Sequence, residues 1–200
     1  MGYRLREFEA ESKFSQELTM EAIGQAVSIT EIKAALQEEG VEETRERKLN
    51  MVAVVLLVIA MNIYTHLSIG HVMRKMAQGL RFIWHNPDCL LPRDSAISYR
   101  RYQLGARPVV SLFHQVCQPM ATPETRGAFL FGLRLMAIDG TIEDVPDTRE
   151  NVAAFGRHHS NRGQSAFPQV QGVYLVECGT HAIVDGGFWP CHTSERVGGF

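Results

Sequence analysis

Residues 129–141 read FLFGLRLMAIDGT, and this stretch decides how the chain divides. Upstream of it, apolar residues recur at helical spacing. Within it they run almost without interruption to Asp139-Gly140, and VQGVYLVECGTHAIVDGGF at 170–188 is again rich in β-branched and aromatic residues with glycine turns. Those patterns predict strands. Between them, residues 143–168 (EDVPDTRENVAAFGRHHSNRGQSAFP) are polar and rich in turn formers, which predicts a long loop over a sheet. The expected order from 126 to 200 is therefore strand, long loop, strand, turn, strand.

Working toward the N-terminus, the pattern is helical. Ser28-Ile29-Thr30-Glu31 fits a capping box that starts a short amphipathic helix carrying Ile29, Ile32 and Leu36, with Gly40 placed to end it. MVAVVLLVIAM at 51–61 is apolar all round, yet Asn62, Thr65, His66 and Ser68 follow it. It falls short of the roughly 20 apolar residues of a membrane span and predicts a helix buried at the centre of a bundle. HVMRKMAQGLRFIW, SAISYRRYQLG and ARPVVSLFHQVCQPM read as further helices punctuated by Pro87, Pro92, Gly105 and Pro108, the last suited to a first helical turn. Residues 28–125 are thus expected to form a helical domain, and 1–27 a polar, loosely ordered tail that carries a loosely docked helix or a frayed end.

Composition narrows the function classes only slightly. A net charge of -2 gives no bulk attraction to nucleic acid, so any DNA contact must come from a local basic face. Such a face is offered by Arg74, Lys75, Arg81, Arg93, Arg100, Arg101 and Arg107 against only Asp88 and Asp94, with Tyr99 and Tyr102 interleaved. A second cationic stretch, Arg157, His158, His159, Asn161 and Arg162, lies in the loop after Phe155-Gly156. Four scattered cysteines suggest a reducing compartment, and the charged N-terminus carries no secretion signal.

Asp139 is the strongest candidate for chemistry. The reading places it at the end of its strand, beside a glycine that lets other groups approach. Asp144, Asp147, Glu177 and Asp185 read as structural. Cys178-x-x-His181 with Cys191-His192 has the ligand types of a zinc site but poor spacing, since adjacent Cys191 and His192 turn with difficulty toward one tetrahedral ion.

LRLMAIDGTIEDVPDTRENVAAFG at 133–156, followed by GQSAFPQVQGVYLVECGTHAIVD at 163–185, resembles DDE transposases of the insertion-sequence-four type. The likeness extends upstream through RERKLN at 45–50 and YQLGARPVVSLFHQV at 102–116. It implies a helical domain for DNA-end binding or assembly, then an RNase H-like α/β core in which three acidic residues hold two Mg²⁺ or Mn²⁺ ions. Asp139 matches the first of the three. The second aspartate and the glutamate of the family have no counterpart here, so the chain is expected to be a truncated N-terminal part with an incomplete core, inactive alone. The implied partners are element-end and target DNA, with self-association, in the bacterial cytoplasm at the nucleoid and not in a membrane. The alternative expectation is a non-catalytic DNA-binding or interaction remnant of a decayed element.

Overall fold

The computed structural model describes residues 20–43, 49–77, 91–160 and 163–193. Two compact units emerge, Met1–Val116 and Cys117–Phe200. The described part of the first is helical and that of the second is built mainly of strands.

The helical unit contains α1 (Met20–Ala26), α2 (Ile29–Glu38), α3 (Met51–Ile63), α4 (Ile69–Ala77), α5 (Asp94–Leu104) and α6 (Arg107–Val116). At the start of α2 both bonds of the capping box form: Glu31 N–H donates to Ser28 Oγ at 3.2 Å, and Ser28 N–H donates to Glu31 Oε2 at 2.7 Å. These bonds outweigh a small burial effect and hold the Glu31 carboxyl below its ordinary range. Gly40 takes φ +66°, the left-handed conformation expected past the helix end.

The apolar run at 51–61 is the buried helix expected of it. Asn50 caps α3 by accepting from Ala53 N–H at 2.8 Å, and every residue from Met51 to Leu57 is buried. Its neighbours are α2, α4 and α5, which supply Ile32, Leu36, Val72, Met73, Met76, Ile97 and Leu104 to one continuous core. Surrounded on several sides, α3 needs no polar face. No helix of the described residues is long and apolar enough to cross a membrane.

Two observations bear on the ends of these elements. Met20–Ala26 is helical and its Ile23 is only 3% exposed within the core, so of the two expectations for the segment before Val27 a docked helix is the one seen in its described residues. The helix expected from His71 onward is observed as far as Ala77; residues 78–90, including Arg81, lie outside the described residues.

The second unit contains β1 (Phe129–Leu130), β2 (Leu133–Arg134), β3 (Met136–Asp144), α7 (Arg149–Phe155), β4 (His159–Ser160), β5 (Gly163–Gln164), β6 (Gln169–Glu177) and β7 (Ile183–Pro190). β3, β6 and β7 form an antiparallel sheet in that order. The expected succession of strands holds, with three corrections. FLFGLRLMAIDGT is not one strand, because Phe131 (φ +51°) and Gly132 (φ +79°) turn the chain back into a β1–β2 hairpin before β3 begins. The loop at 143–168 contains a helix, α7, whose N-cap Thr148 accepts from Asn151 N–H at 3.2 Å, and a small β4–β5 ladder. Asp139 does not end its strand: β3 runs five residues further, because 140–144 find full partners in Val173 to Gln169.

Candidate functional site

Asp139 is the fourth of nine residues in β3, an edge strand, and its side chain is exposed. Its cross-strand partner is Tyr174, which in turn pairs with Gly186. Residues paired in this way share a sheet face, so Asp139, Tyr174 and Gly186 lie on one side together with Thr141 and Glu143. Oδ1 of Asp139 accepts from the Gly140 N–H at 3.0 Å.

The ring of Tyr174 lies across this face because glycines flank it. A Cβ at Gly172 would stand 2.8 Å from the Tyr174 hydroxyl, and one at Gly186 would stand 2.8 Å from Cδ1. The hydroxyl donates to Glu143 Oε1 at 2.9 Å, and Phe188 meets the ring edge-on at 6.2 Å between centroids. Burial, with the neighbouring Glu143 carboxylate, pushes the Tyr174 hydroxyl above its ordinary pKa. Sequence reading missed this arrangement. Its only signal was the spacing of glycines around Tyr174, at Gly172 in its own strand and Gly186-Gly187 in the next.

The other acids do not join Asp139. Asp185 pairs with Leu175, which pairs with Ile138, so it occupies the opposite face. Glu143 shares the face but sits four residues along, about 13 Å at strand rise, and is engaged by Tyr174. Asp144 accepts from Gln169 Nε2 at 2.9 Å, and Asp147 pairs with Arg157 at 2.5 Å. Glu177 is fully buried and accepts from the backbone N–H groups of Met120 and Ala121, from Thr180 Oγ1 and from Arg134. Burial pushes its carboxyl up, but these bonds together outweigh it and hold the pKa below the ordinary range. Among the described residues no group of three or more His, Cys, Asp or Glu is arranged to hold a metal. Asp139 with these neighbours does not fit a two-metal centre.

Zinc binding by Cys178, His181, Cys191 and His192 is opposed by topology. The first pair lies in the β6–β7 turn and the second follows β7, so the eight residues of β7, about 26 Å, separate them. His192 instead neighbours His158 and His159, with ring centroids 6.3 and 6.5 Å away.

The candidate DNA-contacting cations fall into distinct environments. Arg74 and Lys75 are exposed on the last turn of α4, with the Lys75 ammonium 4.9 Å from the Tyr64 ring centroid. Arg101 is exposed on α5, and Arg107 is exposed where α6 begins. Arg100 corrects the sequence reading: it is 8% exposed, its Nε donates to Leu49 C=O at 3.0 Å, and its guanidinium also binds Gln103 and pairs with Glu43. It is an internal clamp. Arg157 is likewise engaged, donating to the carbonyls of Ser165 and Ala166 and to Asp147, and so folds the β3–β6 loop. Arg162 lies outside the described residues.

The family model for the insertion element 4 transposase N-terminal region matches residues 17–114. "Transposase InsG for insertion sequence element IS4" of Escherichia coli (strain K12) is 28% identical over 173 residues, spanning 82% of this chain and 36% of that protein. "Putative transposase InsZ" of the same organism is 33% identical over 104 residues, spanning 52% of this chain and 35% of that protein. The chain carries an insertion element 4 transposase N-terminal part. No solved structure matches it.

The matched region 17–114 of this transposase N-terminal part takes in all six helices described in the first unit apart from the last two residues of α6. The similarity to InsG reaches further. A continuous match over 82% of 200 residues includes residue 139 wherever it starts, so the strand bearing Asp139 belongs to the shared region. The chain spans about a third of the length of either curated relative.

Proposed function

We propose that this chain is part of a DNA transposase that cuts and joins strands at insertion-sequence ends by metal-dependent phosphoryl transfer. In this reading residues 28–125 serve end binding or assembly, and 126–200 open an RNase H-like core whose first metal-binding carboxylate is Asp139. The observation that carries it is an exposed aspartate in the edge strand of an antiparallel sheet, within the stretch shared with a transposase. Arg74, Lys75, Arg101 and Arg107, exposed on the helical unit, are the cations offered to element-end DNA. Arg100 and Arg157 are left out because their guanidiniums are engaged within the protein.

A Mg²⁺ or Mn²⁺ ion at Asp139 would need further carboxylates, since Asp185 is on the other sheet face and Glu143 is held by Tyr174. The chain alone is therefore assigned binding and assembly, with strand cutting left to a complete set of acids. Its place of action is the cytoplasm, on DNA.

Fluorescence anisotropy with duplexes carrying and lacking an element end tests the DNA reading. Expected is salt-sensitive binding that favours the element end; absence of salt-sensitive binding to both duplexes overturns it. Line broadening by Mn²⁺ in NMR spectra tests the metal reading. Expected is broadening centred on Asp139 and lost in Asp139→Asn, and equal broadening in that variant removes Asp139 as a ligand.

A further inference from the structure

The exposed surface of the helical unit is uneven in charge and chemistry, and α5 stands apart. Its buried stripe is Ile97, Arg100 and Leu104, at spacings of three and four residues. At 100° per residue, the opposite arc carries Ser95, Ser98, Tyr99 and Tyr102, and Arg101 lies at the border between that arc and the buried stripe, next to Ile97. Tyr99 is 61% exposed and Tyr102 86%. Arg101 has no side-chain hydrogen bond or ion pair among the described residues. The only acid on the helix is Asp94 in its first turn, whose carboxylate packs against Gly70: a Cβ there would meet Asp94 Oδ1 at 2.6 Å.

Among the described residues the other helices lack this combination. α3 is buried, α2 presents Glu38, which accepts from Ser111 and Gln115 of α6, and α7 belongs to the other unit. Leaving two large tyrosines in water on a helix that has a complete buried stripe gains the fold little. Both present a flat apolar ring and a hydroxyl, which suits an interface that is partly apolar and partly wet.

We propose that the outward face of α5 is the surface that docks on duplex DNA, with Arg101 on a phosphate and Tyr99 and Tyr102 against the groove wall. This rests on the DNA reading above and adds which helix makes the contact. Charge complementarity supports duplex DNA as the occupant: exposed Arg93 precedes the helix, Arg101 lies within it, and exposed Arg107 follows three residues beyond its end. Eleven residues make a rod about 16 Å long, and a helix fits the major groove, about 12 Å wide. Arg100, next to Arg101 in sequence, stays on the inner side and fixes the helix to Leu49 and Glu43.

The test uses the full chain with an element-end duplex, comparing Arg101→Gln and Tyr102→Ala, both surface changes, with the unaltered protein. Phosphate contacts by Arg93, Arg101 and Arg107 contribute about -2.7 to the slope of log affinity on log salt, and Arg101→Gln is expected to reduce its magnitude by about one. Tyr102→Ala is expected to weaken binding about fivefold without changing that slope. Nitration of Tyr99 and Tyr102, followed by mass spectrometry on the unaltered protein, gives a readout free of any folding defect. DNA should slow nitration at both. If the unaltered protein binds neither duplex, the underlying DNA reading fails. If it binds but both variants match it and nitration is not slowed, the α5 surface alone is wrong. Protection that rises with protein concentration in the absence of DNA assigns the face to a protein contact and also overturns the inference.

Discussion

Replacing Arg100 by Met separates a fold-stabilising role from a DNA-contacting one in a single variant. The guanidinium joins three parts of the helical unit: α5, the Leu49 carbonyl just before α3, and Glu43, whose other oxygen accepts from Met51 N–H at 2.8 Å at the first turn of α3. Methionine approximates the aliphatic stem and so leaves packing largely intact. What disappears is the donor set. The Leu49 carbonyl loses its charged partner, and Glu43, with a side chain 15% exposed, loses the Arg100 guanidinium while keeping the Met51 N–H. Breaking a fully buried pair costs about 3–5 kcal/mol; residual solvent contact here lowers the expectation to about 2–4 kcal/mol. For a unit of this size that is a fall in melting temperature of roughly 10 °C. Thermal unfolding followed by far-ultraviolet circular dichroism reads the helices directly. The double variant with Glu43→Gln should recover part of the loss, because it removes the charge that the Arg100 guanidinium had faced. DNA binding by folded Arg100→Met should retain its salt slope. Unchanged stability together with a slope reduced by about one would refute the clamp and return Arg100 to the DNA-facing set.

Further variants probe the core, the sheet unit and its pH response. Leu57→Ala, at a fully buried position of α3, should cost about 3–5 kcal/mol, read as a shift in denaturation midpoint; a cost below 1 kcal/mol would show that α3 is not central. Gly179→Ala should destabilise the sheet unit by about 2–4 kcal/mol, since Gly179 has φ +89° and its added Cβ would stand 2.9 Å from Ala128 Cβ. Gly40→Ala, at φ +66° with open space around it, should cost only about 1 kcal/mol, and equal costs in the two variants would remove steric contact as the cause. Because the folded pKa of Glu177 is depressed, its contribution to stability is fully present above the unfolded value of about 4.3 and is lost as pH falls through the folded value. Glu177→Gln should therefore flatten the acid limb of stability against pH, measured by urea midpoint; parallel limbs would contradict the hydrogen-bond account.

Local rules made much of the helical unit legible. Ser28 and Glu31 sit at capping-box spacing, and the bonds between them are local, so sequence suffices to place the helix start. The run from Met51 to Met61 has too many apolar residues for any surface helix. Arg100 could have been separated from Arg101 by the same logic, since it lies three residues after Ile97 and four before Leu104. Charge counted along the chain groups it with Arg101, whereas charge counted around the helix separates the two. In the strand unit the β1–β2 turn was hidden because Phe131 occupies a left-handed position that Asn or Gly usually fills. α7 was hidden because seven residues are too few to display a helical period within a polar segment.

The candidate site shows the limit of local reading most clearly. Asp139 and Asp185 are both aspartates before a glycine in apolar strands, and each accepts a hydrogen bond from the following glycine N–H. The Asp-Gly pair by itself does not tell them apart. Whether they cooperate depends on register across β6: Asp139 opposes Tyr174, whereas Asp185 opposes Leu175, one residue along and therefore on the other face. The irregularity between Leu175 and Val176 absorbs one residue of β7 and sets that parity, and nothing in the composition of the β6–β7 hairpin marks where that residue is absorbed. Had β7 been shifted by one, Asp185 would have shared the face of Asp139. The register therefore leaves Asp139 available for carboxylates from elsewhere, and it makes the pairing of β6 with β7 the feature on which any reading of this chain's acids depends.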